Sequence, residues 1–154
     1  MPAVSEVRSN GVKNRVAQLI AIADIASLKA LYDSGEWADL ELAVHGLTLC
    51  KYSALAYAAW EEQLEVMRWL LDKGAKANEV RAYHEPPANV AASCGFIAGL
   101  ELLKERGCDF TKGNSLRWQT CPLRGHRRSP VGPPHYAQLG CTYAHHDPEW
   151  PDAR

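Results

Sequence analysis

A chain of 154 residues that is 47% hydrophobic and 23% charged, with a formal net charge of −1, is long enough for one buried core and too balanced to be disordered throughout. The balance supplies no overall basic field for nucleic acid, and no apolar run reaches membrane-spanning length, so neither a nucleic-acid coat nor an anchored protein is expected. The opening MPAVSEVRSNGVKNR lacks the apolar core of a secretory signal, and five scattered cysteines suit free thiols better than a disulfide framework; the expectation is a soluble protein of the cytoplasm or nucleus.

Residues 15–35, RVAQLIAIADIASLKALYDSG, carry two helical stripes. Val16, Leu19, Ile20 and Ala23 form the first, and Ile25, Leu28, Leu31 and Tyr32 form the second, with Gly35 as a left-handed stop. The connection that follows, EWADLELAVHGLTLCKY, alternates at Leu40, Leu42 and Val44, which predicts a short extended arm turning at His45-Gly46. From Ser53 to Asn78 the pattern is again two short helices: Leu55, Ala58 and Ala59 share one face, Leu64, Met67, Leu70 and Leu71 another, and Gly74 ends the pair. Helices this short are marginal alone and need a packed neighbour. One follows in an ungapped register: the step that carries Gly74 to Gly107 also carries Ala58-Ala59 to Ala91-Ala92, Met67 to Leu100 and Leu70 to Leu103. In that copy Pro86-Pro87 suits a helix start and Gly95 an inter-helix turn, while Lys104 stands where Leu71 stood and hints that the stack ends there. The step from Gly35 to Gly74 is longer than the one from Gly74 to Gly107, so the first connection carries a short insertion and reads as a longer finger.

Ser53-Ala54-Leu55-Ala56-Tyr57-Ala58-Ala59 and Met67-Arg68-Trp69-Leu70-Leu71-Asp72-Lys73-Gly74-Ala75 together resemble the ankyrin repeat, T-P-L-H-x-A-A followed by V-x-x-L-L-x-x-G-A at a period of about 33. Ala54, Ala56 and Glu62-Gln63 depart from its Pro, His and Gly-His, and residues 15–35 match as a divergent capping unit. The resemblance implies an all-α solenoid of about three helix pairs within residues 1–112, and non-catalytic recognition of another protein by the inner helices and fingers. It places the variable contact positions at Trp60 and Glu61 with Tyr52 on the preceding finger, and at Ser93 and Cys94 with Tyr83 and Glu85 on theirs. Trp60 is the expected anchor, since indole offers large, stiff contact area. Trp69, on the outer helix at a semi-buried position of the motif, is expected to pack in the core or between units.

Residues 113–154 lose the register and hold no helical stripe; they are expected to form an irregular or disordered tail. Residues 112–146 contain five Lys or Arg and no Asp or Glu. Within them His126, His135, Cys141 and His145 are similar in spacing to the CCCH-type zinc finger, although two of that family's cysteines are histidines here. The alternative it implies is a scaffold with tail-borne zinc or RNA binding, with Arg124, Arg127, Arg128, Tyr136 and Tyr143 touching RNA. No nucleophile elbow, phosphate loop, zincin or EF-hand motif occurs, and Cys94 reads as an ordinary thiol. The sequence therefore leads to a monomeric binding module without cofactor, whose partner is another protein.

Overall fold

The computed structural model describes residues 4–47, 50–78 and 84–109. Tyr83, the whole tail with its His126, His135, Cys141 and His145, and the side chain of Ser93 lie outside the described residues. Within them the protein is mostly helical, with helices α1 (Val4–Ala21), α2 (Ile25–Asp33), α3 (Ala54–Trp60), α4 (Leu64–Asp72), α5 (Pro87–Cys94) and α6 (Ile97–Glu105). Strands β1 (Ala43–Leu47) and β2 (Cys50–Ser53) form an antiparallel hairpin between α2 and α3.

Each helix packs on its partner, α1 on α2, α3 on α4 and α5 on α6, and α3 lies between α1 and α5. On the other side α4 meets α6, while the hairpin folds against α1 and α3. The pairs share local geometry because they share turn chemistry. Ala23, Glu62 and Gly95 take φ of 55°, 57° and 69° between the helices of a pair, and Gly35, Gly74 and Gly107 take 78°, 96° and 79° after it. The two series advance in step, each residue of the first preceding its counterpart in the second by the same interval. A left-handed residue lets the chain reverse and satisfies the last helical carbonyls: Asp24 N–H donates to Leu19 O at 3.0 Å, Gln63 to Ala58 at 2.9 Å and Phe96 to Ala91 at 2.9 Å. Glycine tolerates this conformation freely; Ala23 and Glu62 hold it at a cost of about 1–2 kcal/mol each.

The core follows the same steps. Leu28, Met67 and Leu100 are each fully buried, as are Leu70 and Leu103, with Leu31 nearly so. Burying one such side chain contributes about 1.5–3 kcal/mol, so the stripes on α2, α4 and α6 carry much of the driving force. Val66 is also fully buried, whereas Leu64 and Leu71 are only half-buried. Small residues line α3, where Ala54, Ala56, Ala58 and Ala59 are all inaccessible and let α1 and α5 approach closely.

Side chains tie successive pairs through backbone groups. Glu41, buried, accepts from Lys76 N–H at 2.7 Å, and the amide of Asn78 accepts from Asp109 N–H at 2.8 Å while donating to Gly107 O at 3.2 Å. On the outer side Arg106 meets Asp72 at 2.7 Å across α4 and α6. The fingers also touch: Lys51 and His84, related by the same step as Gly74 and Gly107, form a parallel bridge, and Glu85 N–H donates to Lys51 O at 2.9 Å.

Three expectations are corrected. The first helix begins at Val4, well before its apolar stripe. His45-Gly46 is not a turn but part of β1, the strand being displaced along the chain from Leu40–Val44, and Leu40 to Leu42 form a turn and bend. The small hairpin makes the fold mostly helical rather than purely so. The Pro86-Pro87 start holds, with Pro87 as the first helical residue, where a missing N–H costs nothing.

Candidate functional site

Four of the proposed contact residues meet around one ring. β2 and its hairpin partner deliver Tyr52 beneath α3, the last residue of α3 is Trp60, and α5 with its leading finger brings Cys94 and Glu85. Tyr52 and Trp60 pack edge to face with ring centroids 5.3 Å apart. Cys94 Sγ lies 4.0 Å from Trp60 O, its thiol donating, and Glu85 Oε1 accepts from the Asn89 amide at 3.3 Å. Burial, then the charges of Glu85 and Cys94, push the Tyr52 phenol up to about 12. The cluster is thus both geometric and electrostatic.

Tyr52 departs from its expected role as a surface contact. At 6% exposure it is a buried prop beside Trp60, because the hairpin packs on α3 and holds its ring between Trp60 and His45. Trp60 itself is only half-buried, as is Glu61. Ser93 falls within α5 beside Cys94.

Sequence reasoning passed over two further rings of the cluster, and one exposed apolar side chain on the preceding unit. His45 stacks on Tyr57 at 4.7 Å and lies 6.2 Å from Tyr52, so the rings run continuously from the hairpin to the end of α3. Tyr57 is pushed up to about 12, first by burial and then by its hydroxyl bond to Glu61. Its position one helical turn before Glu61 was the available signal. Ile22 is 70% exposed, a conspicuous apolar side chain at the end of α1. The step from Gly35 to Gly74 carries Ile22 onto Glu61, so the glycine register alone places the two at equivalent positions in successive units. Gln63 Nε2 donates to Ala21 O at 3.3 Å and holds the two turns together.

A half-buried indole on a floor of phenol and imidazole rings, rimmed by Glu61 and Glu85, can bind by area and by charge. On the opposite side a second ring group is structural: Trp69 packs against Tyr32 at 6.1 Å and Trp37 at 6.2 Å, with Lys73 Nζ 5.3 Å from the Tyr32 ring centre. Trp69 therefore sits between units, as expected for its place on the outer helix.

Cys94 and Cys108 are both half-buried. Among the described residues no three His, Cys, Asp or Glu side chains converge to hold a metal ion, and no helix is long and apolar enough to cross a membrane. Comparison of the chain with protein-family models, with curated proteins and with solved structures returns no match.

Proposed function

We propose that residues 1–112 form an ankyrin-type stack whose function is non-catalytic recognition of another protein. The observation that carries this reading is the recurrence of left-handed turns in one register, at Ala23, Glu62 and Gly95 and again at Gly35, Gly74 and Gly107, with Leu28, Met67 and Leu100 buried at matching steps. A stack built this way leaves α1, α3, α5 and the fingers as one wall, concave in the ankyrin architecture. Trp60 is its most prominent aromatic. The bridge between Lys51 and His84, at equivalent places on consecutive fingers, supports the same reading.

Trp60→Ala in the full chain tests it. Truncating an interface anchor costs about 2 kcal/mol or more of binding, so proteins captured by the parent chain from an extract of its source cells should be lost or strongly depleted. Far-UV circular dichroism should be unchanged, since the half-buried ring is not part of the inaccessible core. The same set captured in the same amounts would refute the assignment of this face.

A further inference from the structure

We draw no further inference here: the strongest candidate, the indole pair formed where Trp37 beyond α2 meets Trp69 of α4, with two buried N–H groups that lack acceptors in rings 6.2 Å apart, carries nothing because nothing among the described residues shows what the pair would bind.

Discussion

Tyr52 and Tyr57 link local burial to a measurable property. An unfolded tyrosine loses its proton near pH 10, whereas both of these hold theirs up to about 12, chiefly because burial disfavours the phenolate. The folded state binds more protons than the unfolded state between these values, so stability falls as pH rises through that window and is unaffected below it. Phenolate absorbance during alkaline titration should show two tyrosines ionising late, together with loss of helix. Tyr52→Phe and Tyr57→Phe should each remove one late step. Ionisation of every tyrosine near pH 10 in a chain that keeps its ellipticity would contradict the buried placement of both rings.

Helix α1 shows how an element can exceed its own signal. Its apolar stripe begins at Val16, yet the helix runs from Val4 through a glycine, because its C-terminal half is fixed by α2, α3 and the hairpin and the preceding turns propagate from it. Gly11 is exposed, and a Cβ there would meet nothing within 4 Å. Gly11→Ala should therefore stabilise the protein by about 0.5–1 kcal/mol, read as a raised urea midpoint with unchanged slope. A lowered midpoint would mean that this part of α1 is not helical. The hairpin teaches the converse lesson. Its alternation announced an extended arm, but where the arm pairs depended on the seat offered by α1 and α3.

At the scale of the molecule, stability rests on coupling between units that cannot stand alone. Met67 is fully buried in the central unit, and Met67→Ala should cost about 2–5 kcal/mol, against a total of roughly 5–15 kcal/mol for a domain of this size. Since α3 and α4 contact both neighbours, the loss should spread through the stack. Ellipticity and tryptophan fluorescence should still unfold together, at a lower denaturant midpoint. Separate transitions would show that the outer units fold independently of the middle one.

The sequence alone was enough for whatever depends on neighbours along the chain. The stripes at Leu28, Met67 and Leu100, the stops at Gly35, Gly74 and Gly107, the Pro86-Pro87 start and the turn at Gly95 were all readable, because helix periodicity and left-handed backbone are local properties. Of the proposed docking face, Trp60, Glu61, Glu85 and Cys94 could be placed by register. What register could not supply was the burial of rings carried by connections. Trp37 occupies the step that Lys76 and Asp109 occupy after the other glycine stops, yet it is 1% exposed against Trp69, and Tyr52 is buried beside Trp60. A ring on a loop is buried or exposed according to what the adjoining unit presents to it, and that surface exists only once the helix pairs have stacked.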